Sequence, residues 1–198
     1  MEKANVMKRW RKKGLALIGA TSMLLGGVAS LAAVADTNTS NAQIEFTAGN
    51  LELVSVPSFD FGSHALPSAT TTYTAVTVSD PLRVSDLRGS LDGWNVKAQL
   101  SGFTVGVTPT LSGASITLSS GSVTAVGGTT GTAPTVGGTV NIPSGGAATL
   151  VTTAAAGAGG GVWDTSWTTA NSSIQVFPGN VHSGVATATM DWSLEDTP

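Results

Sequence analysis

The sequence predicts an all-β fold, an antiparallel β-sandwich with long loops rich in glycine, threonine and serine; a β-barrel-like closure is the alternative. Apolar and polar residues alternate in several short runs, as they do in strands that bury one face. Glycine, proline, asparagine and aspartate separate these runs, which is typical of short strands joined by turns. No segment after residue 36 keeps the periodicity of a helix.

The clearest predicted strand is 94–100. Its apolar residues all fall on one face: Trp94, Val96, Ala98 and Leu100. The run 186–194 repeats this alternation near the C-terminus. Its face with Met190, Trp192 and Leu194 is too apolar to stay in water along its whole length. We therefore expect Trp192 to be mostly buried and this strand to close the sandwich.

The first 35 residues have the pattern of a secretory signal peptide. Six of the nine cations lie in the first thirteen residues, and an apolar stretch follows over 15–34. Small residues precede Asp36 at the −3 and −1 positions, so cleavage is expected between Ala35 and Asp36. A retained membrane anchor is the alternative, since about 20 apolar residues span a bilayer. Because glycines interrupt this stretch, we expect a cleaved signal peptide over 1–35, and a secreted mature form without a membrane span.

Residues 36–198 are expected to form a single domain after a flexible start at 36–42. This part of the chain holds three cations against eleven anions, a formal net charge of −8. Such a surface binds phosphates poorly, which excludes nucleic acids and anionic wall polymers as electrostatic partners. The absence of cysteine excludes disulfides, thiolate metal sites and cysteine nucleophiles.

The middle of the domain, residues 103–162, is free of formal charge and rich in predicted loops. The nearest charged residues on either side are Lys97 and Asp164. Pairs and triplets of glycine punctuate short runs of threonine, valine and isoleucine. We interpret the region as a set of hairpins with glycine, threonine and serine at their tips. Self-association is the alternative, since uncharged strands lack the charges that block pairing between sheet edges.

No recognisable catalytic or cofactor motif occurs in the sequence. The patterns of serine hydrolases, zinc proteases and phosphate-binding loops are missing. His64 and His182 each neighbour a serine, but adjacent residues on a strand face opposite ways. Aspartates are numerous, yet they lack the spacing of a calcium-binding loop. We therefore expect a protein that is not an enzyme and that binds no metal or cofactor.

Two matching tripeptides stand out, Trp94-Asn95-Val96 and Trp192-Ser193-Leu194. Each places a tryptophan and an aliphatic residue on the same face of a strand. Such a pair either fills the core or forms an exposed shelf on which sugar rings stack. Trp163 and Trp167 lie four residues apart, so on a strand they also share a face. These two tryptophans either line the rim of a binding surface or cap the core.

Four segments follow one another in an order that characterises a known family. They are the opening 51–62, the turn Asp86-Leu87-Arg88-Gly89, the tripeptide at Trp94 and the tripeptide at Trp192. In order, spacing and C-terminal placement, they resemble the WxL domain of Gram-positive surface proteins. Val96 stands where the family's name expects leucine, which is a mild change between aliphatic residues. The charge-free middle offers no matching residues.

The resemblance implies a non-catalytic domain at the cell surface that binds the cell wall non-covalently, with peptidoglycan as the ligand. It also implies companions, namely WxL-interacting proteins and sortase-anchored surface proteins. The implied motif residues fall into a binding set and a structural set: Trp94, Val96, Trp192 and Leu194 in the first, and Asp86, Arg88 and Gly89 in the second.

Arginine is scarce in this domain, so its role can be predicted from the residues themselves. A scarce arginine among eleven anions is expected to find a carboxylate within the protein. We therefore expect Arg88 to hold Asp86 rather than a ligand. Two functional alternatives stay open: attachment to the wall only through a partner surface protein, and an exported enzyme that acts on glycans.

Overall fold

The computed structural model describes residue 36 and residues 38–196. The chain divides into two compact units, Met1–Ile44 and Glu45–Pro198. The predicted signal peptide and its last residue Ala35 lie outside the described residues. Asp36 and residues 38–44 are exposed and belong to no strand or helix. The flexibility predicted for 36–42 and the single-domain boundary at residue 36 stay predictions.

Short β-strands dominate the second unit, with one 3₁₀ turn at Thr169–Asn171. The strands are β1 (Leu51–Ser55), β2 (Phe59–Asp60), β3 (Thr71–Thr74), β4 (Thr77–Val78), β5 (Leu82–Asp86), β6 (Trp94–Leu100), β7 (Phe103–Val105), β8 (Thr108–Thr110), β9 (Ser115–Ser119), β10 (Ser122–Val126), β11 (Thr135–Val136), β12 (Thr139–Pro143), β13 (Thr149–Ala154), β14 (Gly161–Ser166), β15 (Ser172–Val176), β16 (Ala186–Thr187) and β17 (Met190–Asp196). Within the described residues, no helix is long and apolar enough to cross a membrane.

Three four-stranded sheets make up most of the fold. The first sheet has the order β1-β5-β14-β10, the second β11-β13-β6-β17, and the third β12-β9-β15-β3. Two smaller sheets, β16-β7-β8 and β2-β4, accompany them. All pairs of strands within these sheets are antiparallel, and none of the sheets closes into a barrel. The predicted all-β, antiparallel, sandwich-like fold is confirmed, and the barrel alternative is wrong.

One hydrophobic core joins the three large sheets. The first sheet contributes Leu82 and Val84, the second contributes the buried face of β6, and the third contributes Ile116, Leu118 and Ile142, among others. Along β6, Trp94, Val96, Ala98 and Leu100 are buried, while the residues between them are partly or fully exposed. The alternation in the sequence therefore identified the inward face of β6 correctly. Burial of such apolar faces is the main force that holds sheets together.

The charge-free middle does not form the predicted set of hairpins. Within 103–162, β7 and β8 are the one pair of consecutive strands that bond to each other. The other strands of this segment are distributed over all three large sheets. The connection Ser120-Gly121 takes the chain from the third sheet to the first, and a Cβ on Gly121 would lie 2.7 Å from Trp167 Nε1. Small turn residues here let the chain cross between sheets, whereas we had expected them to reverse it within one.

Candidate functional site

The two tryptophan tripeptides lie side by side in the second sheet. Strands β6 and β17 pair along their full length, with Val96 opposite Leu194 and Ala98 opposite Trp192. Residues directly opposite each other in an antiparallel pair point to the same face. The aliphatic residues of the two motifs therefore meet on the face that packs against the core.

Trp94 is a core residue, with 1% of its surface exposed. Its indole Nε1 donates a hydrogen bond of 3.2 Å to the carbonyl oxygen of Gly159. Gly159 has a φ of +75°, and a Cβ at that position would lie 2.7 Å from Trp94 Nε1 and would also collide with Ala154. Glycine is thus the residue that lets the loop close over the indole. This environment leaves no room for a ligand on the ring.

Trp192 occupies a different position, because β17 is the edge strand of its sheet. Its side chain packs against the core but is half-buried, so it is less enclosed than we predicted from the sequence. The indole Nε1 is shielded from solvent and has no hydrogen-bond partner among the described residues. Neither Trp94 nor Trp192 therefore forms an open shelf for stacking sugar rings.

The rim proposed for Trp163 and Trp167 is not found. Both side chains are only 6% exposed, and Trp163 Nε1 donates a 3.0 Å hydrogen bond to the carbonyl oxygen of Gly160. Trp167 belongs to the hydrophobic core, where its indole nitrogen lies against Gly121. Large aromatic rings gain most when they are enclosed, and both of these side chains are buried. Of the two sequence interpretations, capping of the core is the one that the burial supports.

Arg88 pairs with Asp86, as the sequence predicted, within a larger cluster that the sequence did not predict. Its Nε and one terminal nitrogen each donate a 2.9 Å hydrogen bond to Asp86, whose side chain is almost completely buried. The guanidinium also donates to the carbonyl oxygen of Gly93 and to the carboxylate of Asp196. Gly89 follows with a φ of +76°, a conformation that favours glycine. The predicted pairing of Arg88 with Asp86 is confirmed.

The Arg88 cluster ties together three parts of the chain. Asp86 ends β5 in the first sheet, Gly93 precedes β6, and Asp196 ends β17 in the second sheet. A planar guanidinium with several donors suits such a junction better than the single ammonium of lysine. The structural motif of Asp86, Arg88 and Gly89 therefore connects two sheets at the ends of both tryptophan motifs.

The cluster should make the stability of the domain depend on pH. Hydrogen bonds from the Arg88 side chain hold the pKa of Asp86 below its ordinary value, although burial opposes this effect. Because the folded pKa is depressed, the stabilisation is complete above the unfolded carboxyl pKa, about 3.9. It is lost as the pH falls through the lower folded value. Thermal melting between about pH 5 and pH 2 should show this loss. In the double variant Asp86→Leu/Arg88→Met, the melting temperature should fall less steeply with decreasing pH than in the wild type. Equal dependence on pH in the two proteins would contradict the prediction.

All three cations of the described residues are engaged in ion pairs. Arg83 donates hydrogen bonds of 2.7 and 2.8 Å to the two carboxylate oxygens of Asp164. The ammonium nitrogen of Lys97 lies 2.7 Å from Oε2 of Glu195. Arg88 is held by the cluster described above. The described surface therefore offers phosphate groups no unpaired cation.

Two open grooves lie near these motifs. The larger, about 710 Å³, is lined by Gly49, Asn50, Leu51, Glu52, Arg88, Leu194 and Asp196. It is the place where the opening segment, the Arg88 turn and the second tryptophan motif converge. The smaller, about 460 Å³, is lined by Asp86, Leu87, Gly89, Leu91, Thr129, Thr130, Gly131, Thr132, Gly157, Gly160 and Gly161. We call the smaller one the loop groove. Among the described residues, no group of acidic or histidine side chains is arranged to hold a metal ion.

Comparison with known families agrees with the arrangement of these motifs. The family model of the WxL domain, described as surface cell wall-binding, matches residues 32–198. The chain belongs to this family. The WxL domain is a cell-surface domain that binds the cell wall. The search of curated proteins and the search of solved structures each found no significant match.

The tripeptides that name the WxL domain pack against the core from the second sheet in this member. They place two tryptophans and two aliphatic residues on one sheet face, and Val96 fills its position with no exposed surface. The change from leucine to valine is therefore accommodated in a closed core. The loop groove was missed by sequence reasoning, because its threonines and glycines come from the middle that matched no motif. The repeated glycines were the available signal, and they are common in loops of every kind.

Proposed function

We propose that the mature WxL domain is an exported, non-catalytic surface domain that binds peptidoglycan non-covalently. The observation that carries the proposal is the family match, which spans the whole folded unit and describes a surface domain that binds the wall. The assignment of peptidoglycan as the wall component goes beyond the family description, and the charges of the mature chain support it. The mature chain is acidic and its cations are paired, so the phosphates of anionic wall polymers would be repelled.

The surroundings of the two histidines do not form a Ser–His pair in the described residues. His64 Nε2 lies 2.6 Å from the carbonyl oxygen of Phe61, and the ring stacks on Tyr73 at 4.0 Å between centroids. The backbone nitrogen of His182 is bonded to the hydroxyl of Thr110. A general base needs a ring nitrogen within reach of a nucleophile, and no hydrogen bond joins either ring to a serine hydroxyl in the described residues.

One observation favours the second candidate function, attachment through a partner protein. Phe46 is 83% exposed in a segment that precedes β1 and belongs to no strand or helix. An exposed aromatic side chain outside the sheets suits docking into an apolar pocket of another protein. WxL-interacting and sortase-anchored surface proteins are the partners of this candidate.

The test of peptidoglycan binding is a sedimentation assay with the purified mature domain and no other protein. We expect co-sedimentation with peptidoglycan stripped of teichoic acids. The bound fraction should change little between low salt and about 0.15 M salt, because paired surface charges contribute little at any ionic strength. A steep loss of binding with salt would show that charge contacts dominate. Binding that appears only after a companion surface protein is added would establish the second candidate instead.

A further inference from the structure

We propose that the loop groove is the wall-binding site and that it takes uncharged N-acetylated amino sugars, the glycan rather than the peptide of peptidoglycan. This inference rests on the proposed function. The groove lies at one end of the first sheet, where β5 ends and β14 begins. Segments around Leu87–Leu91, Thr129–Thr132 and Gly157–Gly161 surround it. Loops gathered at one end of a rigid sandwich are a common place for binding sites.

Two leucine side chains in the lining of the loop groove are exposed to solvent. Leu87 and Leu91 are 56% and 43% exposed, although both lie beside a packed sheet. Leu91 has a φ of +58°, which costs a non-glycine residue conformational energy. Its carbonyl oxygen accepts a 2.8 Å hydrogen bond from the backbone nitrogen of Gly157. The fold thus holds an exposed aliphatic side chain in a strained conformation at the groove.

Glycines bring the backbone to the groove surface. A Cβ on Gly161 would lie 2.6 Å from Thr129 Cγ2, and one on Gly160 would collide with the Leu91 side chain. Bare backbone and threonine side chains therefore line the groove together with the leucines. The hydroxyl of Thr129 is already bonded to Val126 and Val162. The hydroxyls of Thr130 and Thr132 are therefore the ones that can bond a ligand. The groove thus offers apolar contact together with hydrogen-bonding groups that carry no charge. An N-acetyl group presents a methyl and an amide, which fit such a surface.

The lack of exposed charge in the groove favours the glycan of peptidoglycan over its stem peptides. Asp86 is the one ionisable residue in the lining, and it is 3% exposed and paired with Arg88. Stem peptides carry free carboxylates and ammonium groups, and this groove would desolvate them without a partner. N-acetylglucosamine carries no charge and avoids this penalty, and so does N-acetylmuramic acid while its lactyl carboxyl group is amide-linked to the stem peptide. The larger groove is acidic at Glu52 and Asp196, and its only cation is already bonded.

The test compares Leu91→Asn with the matched control Leu150→Asn. Leu150 is 47% exposed and lies in β13 of the second sheet, outside the loop groove. Asparagine tolerates a positive φ, so Leu91→Asn should keep the fold, which thermal melting checks. Titration calorimetry with chitotetraose, and sedimentation with purified peptidoglycan, should show at least a tenfold loss for Leu91→Asn and less than a twofold change for Leu150→Asn. Leu87→Asn should behave like Leu91→Asn if the latter melts early.

The outcomes separate this inference from the proposed function. If the wild type sediments with peptidoglycan and all variants do the same, the site is wrong and wall binding stands. If a free stem peptide binds and chitotetraose does not, the ligand class is wrong. If the wild type does not sediment with peptidoglycan, the proposed function fails and the inference fails with it.

Discussion

Trp94→Ala should destabilise the domain more than any other single change to a tryptophan motif. The indole is fully enclosed and hydrogen-bonded to Gly159, so its removal leaves a cavity and an unpaired carbonyl group. Emptying a large aromatic site costs about 3–5 kcal/mol. Since native domains are stable by roughly 5–15 kcal/mol, urea unfolding should show a large fall in the midpoint.

Trp192→Ala provides the comparison within the same sheet. Because Trp192 is half-buried on an edge strand, its replacement should lower the unfolding midpoint by less than Trp94→Ala does. Equal losses would show that the edge strand is as tightly packed as β6. A Trp192→Ala variant that unfolds like the wild type and no longer sediments with peptidoglycan would make Trp192 a ligand contact, against our assignment.

Arg88→Met should have the second large effect. The change removes the partner of Asp86 and leaves that carboxylate buried without its ion pair. Breaking a buried pair in this way costs about 3–5 kcal/mol. The double variant Asp86→Leu/Arg88→Met should recover much of the loss, because two apolar residues leave no buried charge. Urea unfolding of both variants measures the difference.

Lys97→Met is the matched control for Arg88→Met. Lys97 also pairs with a carboxylate, but its side chain and that of Glu195 are 34% and 44% exposed, whereas the side chain of Asp86 is 1% exposed. Exposed pairs contribute about 0–1 kcal/mol, so this variant should unfold nearly like the wild type. If Lys97→Met and Arg88→Met lost stability equally, burial of Asp86 could not be the cause.

Local patterns predicted those features of the fold that depend on neighbouring residues. Alternation along 94–100 identified the buried face of β6, because successive side chains of any strand point to opposite faces. The scarcity of cations predicted that Arg88 would hold Asp86, since a short turn keeps the two within reach. Both predictions needed no knowledge of which strands pair.

Features that depend on distant segments were not predicted. Alternation identifies a face but does not name the partner strand, so the pairing of β6 with β17 could not be derived from either run. The prediction of hairpins within 103–162 was wrong for the same reason, because turn residues do not specify the sheet in which the next strand lies. The burial of Trp167 depends on Gly121, which comes from a distant part of the chain. The loop groove likewise arises from three separate segments.

The pairing of β6 with β17 also has a consequence for the timing of folding. Lys97 and Glu195, which lie on these two strands, are separated by 98 positions in the chain. Contacts between such distant segments slow folding, because a long loop must close before they form. A polypeptide that emerges N-terminus first from a ribosome or an export channel leaves one side of β6 without its neighbour until the last strand is released. The Arg88 junction, which needs Asp196, also forms only then. The domain therefore reaches its final stability only once β17 has emerged and paired with β6.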